Sequence, residues 1–205
     1  MWNPGVSVVV PSIPPRSELL VECLASVARQ TYSPDAVIVV MDTDRSGAGL
    51  TRDRGLDKVD TEFVAFVDDD DLLDPSHIEK LVRCAERTGA DLVYPWHHHL
   101  GETPDALAIP VDGVLVDPEG VPFGPEQAAY LRGTNFIPVT TLVRTELAQR
   151  VGGFGGEWCE DWRFLVRLLD ADATFVHLPE RTWSWRHHAT TGNVPGNTSG
   201  LRENW

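Results

Sequence analysis

Apolar segments alternate with amphipathic ones through the first half of the chain, and this alternation limits the possible folds more than any other feature. Runs rich in β-branched residues occur at Val6–Val10, Ala36–Met41 and Phe63–Val67, and a fourth apolar segment lies at Asp91–Tyr94. Such short runs are typical of strands that are buried on both faces of a sheet. With helices between them, the pattern predicts βαβ units in an α/β fold, with a mixed, mainly parallel central sheet and helices on both faces.

Helical periodicity fills the interval between the first two runs. The apolar positions that recur there at spacings of three and four are Leu20, Cys23, Leu24 and Val27. They form the core-facing stripe of a helix, and Ser17 is its predicted N-cap.

A second helix follows the third strand. Its apolar stripe consists of Ile78, Leu81, Val82 and Ala85. Asp74–Pro75 predicts the start of this helix, because Asp is a good N-cap and Pro is favoured at the first helical position. Gly89 predicts its end, because glycine readily adopts the left-handed conformation that terminates helices.

The second half of the chain is less regular. Residues 96–124 are rich in Pro, Gly and Asp, which predicts a long loop or short β-hairpins. The later predicted elements are a helix at Pro125–Leu131, a strand at Val139–Val143, a short helix from Thr145, a helix at Glu160–Leu169, and strands at Ala173–Leu178 and Thr182–Arg186. We expect a single domain over residues 1–188, followed by a flexible tail at 189–205.

Composition and charge exclude several classes of protein. The 205 residues include 31 acidic and 17 basic side chains, for a formal net charge of -14. This charge argues against nucleic acid as a partner, because phosphate-backbone binding needs clustered Lys and Arg. No apolar run approaches the ~20 residues of a membrane helix, and no signal peptide pattern opens the chain, so we expect a cytoplasmic protein without a transmembrane segment. The three cysteines show neither metal-ligand spacing nor a disulfide framework.

Four consecutive aspartates, Asp68–Asp71, directly follow the third predicted strand. Ligands of open α/β sheets bind at the carboxyl ends of the strands, so these carboxylates lie at the edge where a ligand is expected. A cation relieves their mutual repulsion, and carboxylate oxygens suit Mg²⁺ or Mn²⁺. The alternative is a solvated acidic turn in which Asp71 or Asp74 caps the next helix. The residues alone leave both interpretations open.

Further polar candidates flank this motif. Asp42 and Asp44 follow the second strand, where a carboxylate accepts hydrogen bonds from a ribose hydroxyl or a base N–H, although Asp is also common in turns. Arg52 and Arg54 lie between the two acidic segments, where an arginine binds a phosphate or offsets nearby carboxylates.

Three further candidates lie in the second half. Glu160–Asp161 begin a predicted helix, where a carboxylate is either a general base for a hydroxyl or a simple cap. His97–His99 are interpreted as a surface loop, because consecutive side chains do not all face one metal ion. His187 or His188 ends a strand-like run and is better placed to complete a metal site built by aspartates.

The chain has no nucleophile elbow, P-loop or G-x-G-x-x-G sequence, which argues against serine hydrolases, Walker ATPases and Rossmann dehydrogenases. The motifs that do occur are, in order, Val6–Ser12, Ser26–Tyr32, Val39–Asp42, Thr51–Leu56, Phe66–Asp71, Asn135–Pro138, Val151–Phe154 and Glu160–Trp162. The first five resemble, in the same order, the opening strand, the S-V-x-x-Q-T-Y signature, the aspartate-ended second strand, the A-R-N-x-G-L element and the D-x-D motif of family 2 glycosyltransferases. The last three resemble the acceptor-side segments of that family, which has the GT-A fold.

The resemblance implies an inverting transfer of a sugar from a nucleoside diphosphate sugar, with a UDP-sugar favoured, to a hydroxyl acceptor of unknown kind. Residues 5–95 would bind the nucleotide, and residues 96–188 would bind the acceptor. The implied site residues are Asp161 as general base, Pro11, Asp42, Arg52, Asp68 and Asp69 as donor contacts, and Asp70 and His187 as ligands of Mn²⁺ or Mg²⁺.

The sequence departs from the family pattern in three places. Pro11–Pro15 replace the usual residues after the first strand, Asp53 stands where asparagine is common, and the loop at Thr43–Ser46 lacks D-G-S. The absence of Q-x-x-R-W argues against processive polysaccharide synthesis. Two alternatives stay open, a nucleotidyltransferase that releases pyrophosphate and a non-catalytic protein that binds sugar nucleotides.

Overall fold

The strands and helices follow one another largely as predicted in a computed structural model, which describes residues 3–100 and 121–186. The strands are β1 (Val6–Ser12), β2 (Ala36–Met41), β3 (Phe63–Phe66), β4 (Leu72–Leu73), β5 (Leu92–Leu100), β6 (Val121–Pro122), β7 (Leu142–Arg144) and β8 (Phe175–Arg186). The helices are α1 (Ser17–Ala28), α2 (Ala48–Leu56), α3 (His77–Thr88), α4 (Pro125–Gly133), α5 (Thr145–Arg150) and α6 (Glu160–Asp170), with a 3-10 turn at Pro14–Arg16. The predicted tail at 189–205 lies outside the described residues.

A mixed sheet joins the described strands in the order β2-β1-β3-β7-β5-β8-β4, and β6 pairs with β8. β1 is parallel to β2 and β3, β5 is parallel to β8, and β7 runs antiparallel between β3 and β5. The two last predicted strands form one continuous strand, β8. The predicted α/β fold class is confirmed. Because β1, β2 and β3 are parallel, their carboxyl ends meet at one edge of the sheet.

Helices cover both faces of this sheet, as the apolar runs predict. Alternate residues of β1 divide between two cores, so that Val8 and Val10 lie in one and Val9 lies in the other. Ile78 of α3 packs in the first core, and Phe164 of α6 packs in the second. Within the described ranges, no helix has the length and apolar character that a membrane crossing requires.

Helix ends were easier to predict than helix starts. α3 ends at Gly89, which has a left-handed φ of 71°, as predicted. Its start at Asp74–Pro75 is wrong, because the Asp74 carbonyl accepts the His77 N–H in a turn and the helix begins only at His77. Ser17 is the first helical residue instead of the N-cap, because the turn at Pro14–Arg16 runs directly into α1.

Helix α2 has no counterpart among the helices that we predict from apolar periodicity. Its buried residues are Gly49, Thr51, Arg52, Gly55 and Leu56. Only one of these is a large apolar side chain, so the buried face produces no hydrophobic stripe.

The predicted loop is wrong for residues 96–100, which continue β5 and pair with β8. The ring of His97 lies 5.0 Å from that of Trp183, and the ring of His99 lies 5.5 Å from that of Trp185. Burial, helped by nearby basic groups, lowers the pKa of His97 to about 4. Tilted and edge-on packing against the tryptophan rings therefore favours a strand at these histidines, despite their polar sequence.

The buried side chain of Gln30 ties α1 to the start of α3. Its Nε2 donates to the carbonyl oxygens of Asp74 at 2.7 Å and Ser26 at 3.2 Å, and its Oε1 accepts the backbone N–H of Ile78 at 3.0 Å. The glutamine of the S-V-x-x-Q-T-Y segment thus gives the buried Ile78 N–H its acceptor and adds a second hydrogen bond to the Asp74 carbonyl. It also fixes the chain directly after the aspartate motif.

We expect Gln30→Ala to lower the free energy of unfolding by about 1–3 kcal/mol, because it leaves the buried N–H of Ile78 without an acceptor. Urea unfolding followed by circular dichroism measures the change. Arg29→Ala is the matched control, since Arg29 is the exposed neighbour. Equal stability of the two variants would contradict this account of the Gln30 bonds.

Candidate active site

The aspartate motif forms a turn at the end of β3. The Val67 N–H still pairs with the Val9 carbonyl, and the Asp71 N–H bonds the Asp68 carbonyl. The four carboxylates then diverge: Asp69 and Asp71 are 2% exposed, whereas Asp68 and Asp70 are less buried. Alternate residues of the motif therefore serve different purposes, with one pair held inside the protein and the other near its surface.

Two hydrogen-bond donors hold the carboxylate of Asp69 inside the protein. Its carboxylate accepts the Ser12 hydroxyl at 2.7 Å and the Arg16 Nη1 at 3.0 Å. The same Arg16 nitrogen lies 3.1 Å from Asp70 Oδ2. The predicted donor contact Asp69 thus joins the end of β1 to the aspartate motif.

Asp71 is buried and accepts the backbone N–H of Arg186 at 3.0 Å. Burial, together with the charges of Asp68 and Asp70, raises the pKa of Asp71 well above its usual range. Arg186 also donates from Nε to the Asp70 carbonyl at 3.0 Å. The end of β8 is therefore bonded to the aspartate turn. The next residue, His187, lies outside the described residues.

Arg52 is the buried centre of the site. Only 4% of this residue is exposed, and its guanidinium pairs with Asp68 at 2.7 Å and with Glu160 at 3.0 Å. It also lies 5.3 Å from the centre of the Phe154 ring. Although burial disfavours its charge, the carboxylates of Asp68 and Glu160 raise the pKa of Arg52 above its usual value. One side chain thus links the end of β3 to the start of α6.

Asp161 lies in the first turn of α6, where the helix dipole favours a carboxylate. Its Oδ2 accepts the Asn135 side-chain amide at 3.0 Å, and its Oδ1 accepts the Trp162 backbone N–H at 2.7 Å. The Trp162 indole donates to the Leu131 carbonyl at 2.6 Å, which ties α6 to α4. These contacts orient the carboxylate for which the family resemblance implies the role of general base.

Asp42 lies at the carboxyl end of β2 and shapes the next loop. Its two carboxylate oxygens accept the backbone N–H groups of Ser46 and Gly47, each at 2.9 Å. These bonds give Asp42 the turn role that sequence analysis left open beside nucleotide binding. Pro11, another predicted donor contact, is buried in β1 opposite Val40.

Sequence reasoning assigned no role to Asp53. Its carboxylate accepts the backbone N–H groups of Phe154 at 2.7 Å and Gly155 at 2.8 Å. A Cβ on Gly153, whose φ is 65°, would lie 2.2 Å from Asp53 Oδ1. The G-G-F segment therefore wraps closely around this carboxylate, and the departure from asparagine at this position supplies a second acceptor oxygen.

Asn135 and Arg16 were also missed as contributors to the site. Asn135 lies within a recognised motif, but nothing in the sequence indicated that it pairs with Asp161. Arg16 directly follows the proline-rich segment Pro11–Pro15 that departs from the family pattern. The only local signal for it is a basic side chain shortly after the first strand.

The donor atoms at this edge suit a hard divalent cation. Asp68 and Asp70 offer carboxylate oxygens at a strand end, which is the ligand type that Mg²⁺ and Mn²⁺ prefer. Each already pairs with an arginine, Asp68 with Arg52 and Asp70 with Arg16. Across residues 3–100 and 121–186, no three His, Cys, Asp or Glu side chains converge closely enough to hold a metal. The carboxylate oxygens at this edge are therefore suitable ligands for such a metal ion, and in this structure arginines neutralise their charge.

The fold and the positions of these carboxylates agree with the class of protein that the motifs predict. A mixed α/β sheet with carboxylates at the end of β3 and at the start of α6 has the architecture that the motifs indicate for a GT-A glycosyltransferase. The family model described as "Glycosyl transferase family 2" matches residues 42–107, which confirms the predicted resemblance. The chain is therefore similar to family 2 glycosyltransferases over residues 42–107, and it shares its fold with solved glycosyltransferase structures.

Solved structures of S. aureus TarS share the fold. TarS 1-349 in complex with UDP-GlcNAc has a TM-score of 0.71 at 18% identity, over 91% of this chain and 60% of that chain. The complex of TarS 1-349 with UDP has a TM-score of 0.68 at 19% identity, over 89% of this chain and 60% of that chain. "Uncharacterized protein y4gI" from Sinorhizobium fredii is 25% identical in an alignment of 223 residues that covers 94% of this chain and 23% of that protein. The chain thus spans only part of these relatives.

We expect Asp53→Ala to lower the free energy of unfolding by about 1–3 kcal/mol, because two backbone N–H groups lose their acceptor. Hydrogen exchange should speed up at the Phe154 and Gly155 amides. Asp53→Asn keeps one acceptor oxygen and should give an intermediate result. Asp57→Ala, at the exposed end of α2, is the control. Unchanged exchange at both amides would contradict the proposed anchoring.

Proposed function

We propose that this chain transfers a sugar from a nucleoside diphosphate sugar to an acceptor hydroxyl, with metal assistance and inversion at the anomeric carbon. The observation that carries the proposal is the double ion pair of Arg52 with Asp68 and Glu160. It joins the D-x-D motif to the residue directly before Asp161. A sugar donor bound at the D-x-D motif and a general base at Asp161 would therefore face one cleft.

The donor side is built at the ends of the parallel strands. Asp42 would accept a hydrogen bond from the base or ribose, and Asp68 from a ribose hydroxyl. Arg52 would face the nucleotide when Asp68 turns to the donor. The TarS structures that share this fold contain UDP and UDP-GlcNAc, which favours a UDP-sugar here. Pro11 and Asp69 would line the same edge.

Asp70, with His187 as a further candidate, would hold Mn²⁺ or Mg²⁺. When bound, such an ion supplies positive charge to the diphosphate and makes it a better leaving group. The protein's task is then to keep the carboxylate oxygens directed toward the donor. The bonds of Asp69 and Asp71 to β1 and β8 hold the turn that carries Asp70 in place.

Asp161 would act as the general base. Its carboxylate removes the proton from the acceptor hydroxyl while the hydroxyl oxygen forms a bond to the anomeric carbon. The bond from that carbon to the diphosphate oxygen breaks on the opposite side, and the nucleoside diphosphate leaves with the electron pair. The bonds from Asn135 and Trp162 restrict the carboxylate to one orientation, which favours this geometry.

We expect Asp161→Asn to lower turnover by about 10²–10⁴-fold, because an amide does not accept the proton. The assay is release of nucleoside diphosphate from the donor that a screen with Mn²⁺ selects, with water as acceptor. Donor affinity should change by no more than a few fold. Asp170→Asn, which alters an exposed carboxylate at the other end of α6, is the control.

Three outcomes of this assay would count against the proposal. Unchanged turnover in Asp161→Asn would exclude Asp161 as the base. Release of pyrophosphate in place of a nucleoside diphosphate would favour a nucleotidyltransferase. Donor binding without turnover, for every donor of the screen, would favour a non-catalytic protein that binds sugar nucleotides.

We expect Asp70→Ala to abolish the contribution of the metal to donor binding. In the unaltered chain, Mn²⁺ should raise the affinity for UDP about tenfold or more, which corresponds to about 1.4 kcal/mol. Isothermal titration calorimetry with and without Mn²⁺ measures both values, and Asp60→Ala, at an exposed position, is the control. UDP binding that is equally tight without metal in the unaltered chain would contradict metal assistance.

A further inference from the structure

Arg16 places a positive charge next to the aspartates of the proposed donor site, although it lies outside every recognised motif. Its Nη1 lies 3.0 Å from Asp69 Oδ1 and 3.1 Å from Asp70 Oδ2. The residue ends the 3-10 turn that begins at Pro14, directly after β1. Prolines restrict the backbone there, so the arginine is presented to the aspartates from a stiff segment.

The two carboxylates hold Arg16 in different ways. Asp69 is buried and also accepts the Ser12 hydroxyl at 2.7 Å, so it is a fixed anchor. The Asp70 side chain is more exposed, at 13% against 3% for Asp69. Asp70 is also the residue that the proposed function gives to the metal. A guanidinium and a divalent cation on one carboxylate repel each other, so both cannot bind Asp70 fully.

We propose that Arg16 is the internal counter-ion of the donor site and competes with the divalent metal for Asp70. This inference rests on the metal role of Asp70 in the proposed function. Without a donor, Arg16 neutralises Asp70 and keeps the affinity for bare metal low. When metal and donor arrive together, the diphosphate supplies a new negative partner for Arg16, which stays anchored by Asp69.

The consequence is a coupling between metal and nucleotide. The metal displaces Arg16 from Asp70, and the displaced guanidinium gains an interaction only if a diphosphate is present. Each ligand therefore raises the affinity for the other, and this coupling is reciprocal. Arg16 makes the site selective for the metal-nucleotide complex over the free ion.

Titration with Mn²⁺, followed by electron paramagnetic resonance of the free ion, tests the proposal. It is done with and without saturating UDP. We expect Arg16→Gln to bind Mn²⁺ about tenfold more tightly than the unaltered chain when UDP is absent, which is the scale of one charge-assisted hydrogen bond. The increase in Mn²⁺ affinity caused by UDP should shrink in this variant. Arg16→Lys keeps the charge but not the guanidinium, and it should fall between the two.

Arg83→Gln is the matched control, because it removes one positive charge from an exposed ion pair on α3. An equal gain in Mn²⁺ affinity in this control would show an effect of net charge alone and overturn the proposal. Mn²⁺ affinity unchanged in both Arg16 variants, or no Mn²⁺ binding to any of the proteins, would also overturn it. If the unaltered chain transfers no sugar but Arg16→Gln still binds Mn²⁺ more tightly as expected, the result counts against the proposed function alone.

Discussion

The buried guanidinium of Arg52 is the interaction on which the rest of the site depends. A charge removed from water is costly unless partners compensate it, and here two carboxylates do so from opposite sides. Those carboxylates come from the end of β3 and the start of α6, while Arg52 itself comes from α2. The three elements therefore have to assemble together, because each supplies one member of these two ion pairs.

The central sheet was predictable because its strands bury both faces. Val6–Val10 and Phe63–Val67 have continuous apolar runs, since one set of alternate residues meets α1 and α3 and the other meets α2 and α6. Helix α2 was not predictable in this way. Its buried face carries Arg52 and glycines in place of a row of large apolar side chains. Ion pairs and close backbone contacts determine how it packs, and these produce no periodic pattern of apolar residues in the sequence.

The positions of the site's carboxylates were partly predictable for the same topological reason. Asp68 and Asp70 follow a parallel strand, and the ends of such strands share an edge. The partners Arg16 and Asn135 were not predictable, because each meets its carboxylate through a contact between distant segments. Nothing in the sequence of Pro14–Arg16 indicates that Arg16 will form an ion pair with Asp69.

The close approach of α2 to the G-G-F segment sets a fixed distance within the molecule. A Cβ on Gly49 would lie 2.1 Å from the carbonyl oxygen of Gly155, and one on Gly153 would collide with Asp53. The two backbones therefore act as a spacer of constant width between the segments that carry Arg52 and Asp161. If the proposed function holds, substitutions beside these segments would alter the contacts of an acceptor while the separation between Arg52 and Asp161 stays the same.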